Sequence, residues 1–379
     1  MSLKPIKLVT IVGTRPEIIR LSRIIDRLNN SDSFSHTLVH TGQNYDYNLN
    51  DIFFKDLSIS KPDIYLDASS ENSSKTIGNI LIKVDDVLNE IKPDAVLVLG
   101  DTNSCLSVLC AKKRKIPIFH FEAGNRCFDQ RVPEENNRKL VDHVSDINLT
   151  YSNHARQYLI NEGIPPDRVI KIGSPMFEVL SYYKKNIDGS NIIKELSLKK
   201  GKYFLVSCHR EENVDNPIKF LKFIKSLNEL SNIYNIPIVF PIHPRTKKIL
   251  ESTNLKLNNL IQIIEPIGFV DYINLQINSF VVLSDSGTIF EESSILNFNA
   301  INLRESHERP AALEEAQVLV SGMNLERILQ CINIIKTKSN SVEIQKVKDY
   351  MVPNVSVKIE RIIPSYIDYI NRVVWQKEF

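Results

Sequence analysis

Three carboxylates in this 379-residue chain stand where a proton-transfer site would need them. Asp101 ends the apolar run Ala95-Val96-Leu97-Val98-Leu99-Gly100-Asp101, and Glu122 ends Ile116-Pro117-Ile118-Phe119-His120-Phe121-Glu122. Glu134 follows in Val132-Pro133-Glu134-Glu135-Asn136-Asn137-Arg138, where Pro133 suits the first turn of a helix. Unbroken apolar runs alternating with helical patterns read as buried parallel strands. Open α/β sheets bind their ligands beyond the carboxyl ends of such strands. Acids delivered together to that rim suit general acid–base chemistry, one removing a proton and another returning it.

The elements that must carry them form two βα series. Strand-like runs at Ile6–Val12, His36–Thr41, Ala95–Asp101, Ile116–Glu122, Ile147–Tyr151 and Val169–Ile172 alternate with helical patterns such as Pro16–Leu28, Lys75–Ile91 and Asn103–Arg114. A polar stretch from Lys184 to Asn191 marks a boundary. A second series follows at Tyr203–Cys208, Pro237–Ile242, Ile261–Glu265, Val281–Ser284 and Ile301–Leu303. The expected architecture is α/β: two Rossmann-like, doubly wound domains, 1–183 and 184–354, facing each other across a cleft. The amphipathic segment 355–379 is expected to form a helix that packs back on the first domain.

Composition narrows the function classes. Apolar residues make up 42% and charged residues 24%, as in ordinary globular proteins. The net charge of +2 is spread along the chain, so neither a nucleic-acid surface nor a membrane patch is expected. No apolar run approaches the ~18 residues that span a bilayer, and no signal peptide is expected. Cysteines at 105, 110, 127, 208 and 331 show no C-x-x-C pair and no metal-like spacing with histidine. They read as reduced thiols in a cytoplasm, with no metal site.

Further residues at strand ends point to an anionic ligand. In Gly13-Thr14-Arg15-Pro16-Glu17, a capping box explains Thr14 and Glu17, and Pro16 suits the helix start. It leaves Arg15 as a cation beside a positive helix terminus, which calls for an anionic partner. There is no G-x-G-x-x-G, so a nicotinamide cofactor is disfavoured. His209 and Arg210 follow the first strand of the second series, and His243 follows the next; a histidine there suits an anion or proton donation near neutral pH. The turn Leu283-Ser284-Asp285-Ser286-Gly287-Thr288 leads into a helix N-terminus whose free N–H groups bind phosphate. Glu292, one turn further, could accept bonds from a ribose diol. Simpler roles stay open: Asp101 and Ser286 as helix caps, and Glu134 with Arg138 as an i,i+4 surface pair.

Taken in order and spacing, Gly13-Thr14-Arg15-Pro16-Glu17, Gly100-Asp101-Thr102, Glu122-Ala123-Gly124, Pro133-Glu134-Glu135 with Arg138, His209-Arg210 and Asp285-Ser286-Gly287 with Glu291-Glu292 resemble the non-hydrolysing UDP-N-acetylglucosamine 2-epimerases over nearly the whole chain. The resemblance implies a GT-B-type fold and inversion at C2 of a UDP-N-acetylhexosamine, without a cofactor. It implies that Asp101, Glu122, Glu134 and His209 serve catalysis and that Arg15, Arg20 and Arg138 surround the sugar. Ser286, Gly287, Thr288 and Glu292 would hold UDP, with Glu292 on the ribose. It further implies a homodimer and a second UDP-GlcNAc as activator, with Gln43, Arg210 and His243 fitting parts of that site. Departures from the family pattern are Thr288 in place of a second glycine, Glu211 in place of an arginine, and Arg20 where lysine is common. The short stretch Gly124–Pro133 and His307-Glu308-Arg309-Pro310 resemble the capsule-type branch. That branch implies an alternative substrate, UDP-2-acetamido-2,6-dideoxy-L-talose. A GT-B glycosyltransferase, a non-catalytic UDP-sugar-binding protein and a hydrolysing epimerase releasing free ManNAc and UDP are the other readings.

Overall fold

Val-, Ile- and Leu-rich runs pair into two wholly parallel sheets, each within its own unit of the chain. The computed structural model describes residues 4–43, 57–208, 210, 213, 216–242, 244–252, 255–304, 308–337 and 345–378. One unit comprises Met1–Tyr182 with Lys348–Phe379, and the other comprises Tyr183–Val347.

The first unit holds β1 (Ile6–Val12), β2 (Phe34–His40), β3 (Ile64–Tyr65), β4 (Ala95–Leu99), β5 (Ile118–Phe121), β6 (Ile147–Thr150) and β7 (Val169–Lys171). Their order across the sheet is β3-β2-β1-β4-β5-β6-β7. Register pairs Ile11 with Val98 and Leu99 with Phe121, so the carboxyl ends of β1, β4 and β5 lie side by side. Val9, Ile11, Val96 and Val98 pack against Ile80, Val84 and Leu88 of the Ser73–Ile91 helix. Both faces of the sheet are covered, as a parallel sheet requires.

The second unit holds β8 (Phe204–Ser207), β9 (Ile238–Pro241), β10 (Ile261–Ile264), β11 (Val281–Ser284), β12 (Ala300–Asn302) and β13 (Leu319–Val320), ordered β10-β9-β8-β11-β12-β13. Phe204, Val206, Leu283 and Ile301 pack against Phe220, Phe223, Ile328 and Ile332. In each sheet the order reverses beside the first strand in sequence, at β1/β4 and at β8/β11. That switch point opens a crevice for ligand between two divergent loops.

Three local features differ from the pattern reading. The edge strands β3 and β13 span two residues each, too few for alternation to register. The expected Asn103–Arg114 helix opens as a 3-10 turn, Asn103–Ser107, before Val108–Lys113 becomes α-helical. There the Ser107 hydroxyl donates to the Ser104 carbonyl at 2.6 Å, competing with regular helix bonding. The final helix, Val355–Val373, belongs to the first unit, where its Ser356 N–H donates to Glu178 at 2.9 Å and its Glu360 pairs with Arg27. The return begins earlier, at Lys348, since the Asp349 carbonyl accepts from the Ser174 N–H at 3.1 Å.

Candidate active site

The β1-to-helix turn builds the first part of the site. Gly13 is required because a Cβ there would lie 1.9 Å from Ser104 Oγ and 2.4 Å from Thr41 Oγ1. Arg15 opens the Arg15–Asn29 helix and is half-buried. Glu17 is 1% exposed. Its Oε2 accepts from the N–H groups of Gly13 (2.5 Å) and Thr14 (3.3 Å), and its Oε1 accepts from the Thr102 hydroxyl at 2.6 Å. The capping box is therefore also a brace between the ends of β1 and β4. Burial pushes the Glu17 carboxyl up to about 7, against the pull of these donors.

The acids at the next two strand ends each meet an arginine. Arg20, 3% exposed, forms an ion pair with Glu122 and donates to Tyr151 Oη at 3.3 Å. Glu122 also accepts from Asn125 Nδ2 at 3.2 Å. Its backbone is left-handed, with φ of 67°, a conformation that costs an ordinary residue about 1 kcal/mol and tends to persist at functional turns. Asp101 pairs with Arg138 at 2.7 Å, and its carbonyl accepts from Asn137 Nδ2 at 2.9 Å. Arg138 also lies 3.2 Å from Glu135, which is fully buried and accepts from the Cys127 and Phe128 N–H groups. Glu134, half-buried, stands in the first turn of the same Pro133–Val144 helix, one turn before Arg138. Asp101, Glu122, Arg20 and Arg138 are thus joined by two ion pairs across neighbouring elements. Glu134 and Arg15 sit on the elements that carry those arginines.

Gln43 belongs to this unit, where its Oε1 accepts from the N–H (3.0 Å) and the hydroxyl (2.7 Å) of Ser104.

In the second unit the β8 and β11 ends converge in the same way. Asp285 is fully buried and accepts from the Arg210 N–H at 3.0 Å and from Asn213 Nδ2 at 3.1 Å, tying one loop to the other. Ser286 and Thr288 share a hydroxyl hydrogen bond of 3.0 Å ahead of the Ile289–Leu296 helix. Among the described residues, a Cβ on Gly287 would touch only Glu308, at 3.8 Å, an ordinary contact distance. Glu292, 6% exposed, accepts from Gln276 Nε2 at 2.7 Å. His209 and His243, together with Glu211 and Glu212, lie outside the described residues.

Sequence reading missed several neighbours here. Tyr272 is held in its neutral form by burial, with Glu292 and Asp285 adding to the effect. Gln276 touches Glu292, and the buried pairs Arg309–Glu291 (3.1 Å) and Arg304–Glu308 (2.9 Å) flank the turn. The signals for these pairs in the sequence are Glu291, inside the motif after β11, and the charge-rich Glu308-Arg309-Pro310 after β12.

The UDP-N-acetylglucosamine 2-epimerase family model matches residues 26–364. A UDP-N-acetylglucosamine 2-epimerase of Methanococcus maripaludis is 39% identical over 335 residues, covering 86% of this chain and 90% of that one. The solved UDP-N-acetylglucosamine 2-epimerase from Rickettsia bellii superposes with a TM-score of 0.91 at 49% identity, covering 99% of this chain and all of that one (100%). The Methanocaldococcus jannaschii UDP-GlcNAc 2-epimerase, solved in complex with UDP-GlcNAc and UDP, gives a TM-score of 0.87 at 35% identity over 95% of this chain and 100% of that one. With a family model spanning most of its length and relatives this similar, the chain belongs to the UDP-N-acetylglucosamine 2-epimerase family.

Proposed function

We propose that this enzyme is an isomerase that interconverts UDP-GlcNAc and UDP-ManNAc by inverting C2. The observation that carries the reading is the pair of carboxylates at adjacent strand ends, Asp101 and Glu122, each held by a separate buried arginine. Family membership supplies the substrate class.

The C2 proton of the substrate is not next to a carbonyl, so simple deprotonation is too slow. A base removes it while the C1–O bond to UDP breaks, leaving 2-acetamidoglucal and UDP. Re-addition of the proton on the other face of C2, with UDP returning to C1, completes the inversion. Asp101, Glu122 and Glu134 supply the acid–base groups, with His209 as a further candidate. Arg15, Arg20 and Arg138 set the charge around the sugar, and the helix N-terminus at Ser286–Thr288 receives the developing diphosphate charge. Glu292 takes the ribose.

Incubating the protein with UDP-GlcNAc in D2O and following proton NMR tests this. Loss of the C2 proton signal with growth of UDP-ManNAc is the expected result. No exchange in protein that binds UDP would reject it.

A homodimer, and a second UDP-GlcNAc acting as activator with Gln43, Arg210 and His243 as candidate contacts, extend the reading. Initial rates from UDP-ManNAc should then rise on adding a trace of UDP-GlcNAc. Sedimentation would report the dimer.

A further inference from the structure

A second group of charges lies beneath the acids of the first unit, and none of its members has a role in the chemistry above. His120, on β5, is 0% exposed. Its Nε2 lies 2.8 Å from the Gly100 carbonyl, the peptide immediately before Asp101. Its Nδ1 lies 2.9 Å from the carboxylate of Asp142, also 0% exposed, on the Pro133–Val144 helix two turns after Glu134. Asp142 also meets Arg126 Nη1 at 2.7 Å and accepts from the Gly124 N–H at 3.2 Å. Arg126 donates to the Asn125 carbonyl at 2.7 Å and grips both oxygens of Glu162, at 2.8 and 2.6 Å. His143 Nε2 stands 3.1 Å from Glu162 at the outer end.

The ring faces acceptors on both sides, a carboxylate and a carbonyl. A neutral imidazole has one N–H and one lone pair, so one of these contacts would set lone pair against lone pair. Nε2 makes the hydrogen bond to the carbonyl, while Nδ1 faces the carboxylate as an ion pair without hydrogen-bond alignment, and only the imidazolium is attracted to both. The chain Glu162–Arg126–Asp142–His120 then alternates in sign and sums to zero, the form in which buried charges are tolerated. Burial opposes charge on His120, but Asp142, the Gly100 carbonyl and Asp101 outweigh it and raise its pKa.

The placement matters more than the charge. This one ring and its carboxylate touch every element that carries an acid: β4 through the Gly100 carbonyl, β5 through His120 itself, and the Pro133–Val144 helix through Asp142. Glu122 follows two residues after His120 in a left-handed turn, and Gly124, with φ of 80°, closes that turn onto Asp142.

We propose that His120 is a standing cation and a positioning residue, clamped between Asp142 and the Gly100 carbonyl so as to hold Asp101, Glu122 and Glu134 in fixed relation. The positioning role rests on the epimerase reading; the clamp itself does not. A misplacement of catalytic groups by an ångström costs on the order of 10²-fold in rate.

Two measurements test it. In 15N-histidine-labelled wild-type protein, the His120 ring should show imidazolium nitrogen shifts at pH 8. Its signal is assigned as the one missing from His120→Gln, or as the one moved most in Asp142→Asn should the first variant not fold. A neutral ring at pH 8 overturns the proposal. Asp142→Asn and His120→Gln should each lower kcat by on the order of 10²-fold, with KM and UDP affinity changed by no more than about threefold. A folded variant with kcat near wild type, or a loss confined to KM, also overturns it. Absence of turnover in the wild type would sink the epimerase reading alone, and the charge of the ring would still decide the clamp.

Discussion

Arg20 and Glu122, 102 residues apart in the chain, form a buried ion pair that joins the helix after β1 to the turn after β5. Removing one partner of such a pair leaves the other charge less well compensated. Tyr151 completes the pocket, its hydroxyl 3.3 Å from the same arginine nitrogen. The pair fixes where Glu122 presents its remaining oxygen, which accepts from Asn125 at 3.2 Å.

Glu122→Gln and Asp101→Asn keep shape and hydrogen-bonding capacity while removing the ability to take a proton. Each should reduce turnover by about 10²- to 10⁴-fold. UDP affinity, read by calorimetry, should stay within about twofold, since the proposed UDP contacts lie in the other unit. Near-normal turnover in either variant would reject its acid–base role.

Glu292→Gln retains a carbonyl to accept from Gln276, so the change reports on the ribose contact more than on the fold. Losing a hydrogen bond to a charged acceptor costs about 1.5 to 3 kcal/mol, a weakening of UDP binding by roughly tenfold or more. Equal affinity would rule out the ribose role.

Glu17 gives stability a particular pH dependence. Its carboxyl sits at about 7 when folded, against an ordinary value of 4.5. The folded state therefore holds this proton more tightly than the unfolded chain does. The contribution is complete below pH 4.5 and is lost as pH rises through 7. About 1.4 kcal/mol per pKa unit makes this on the order of 3 kcal/mol. Urea midpoints for wild type and Glu17→Gln at pH 5 and pH 8 should show a smaller fall in the variant. Parallel falls would place the dependence on other groups.

Gly124→Ala should be destabilising by about 2 kcal/mol or more, because overpacking and a left-handed backbone act together. A Cβ there would lie 2.4 Å from the Ala155 carbonyl oxygen, with φ at 80°. A urea midpoint equal to wild type would contradict this.

Much of the fold was legible because parallel strands buried on both faces must be continuously apolar. Ala95–Leu99 and Val281–Ser284 announce themselves that way, and Asp101 and Ser286 follow at their ends. Thr14, Pro16 and Glu17 likewise marked a helix start that the structure contains. The two-residue strands β3 and β13 carried too little pattern to be seen. The Asn153–Asn161 helix falls between two of the apolar runs, and the Ser152 hydroxyl caps it by accepting from the Ala155 N–H at 3.1 Å.

What the sequence determined by itself is local: which runs bury both faces, that Thr14 and Glu17 cap the first helix, and which charged residue types stand at strand ends. Those depend on side chains a few residues apart. Tertiary structure alone decided that Arg20 meets Glu122, that Arg138 meets Asp101, that Glu17 spans from Gly13 to Thr102, and that His120 faces Asp142 and Gly100 at once. Each of these contacts depends on strand order and register, which bring distant segments to one rim. The protonation states that matter follow from the burial those contacts create, and burial is a property of the whole packed unit.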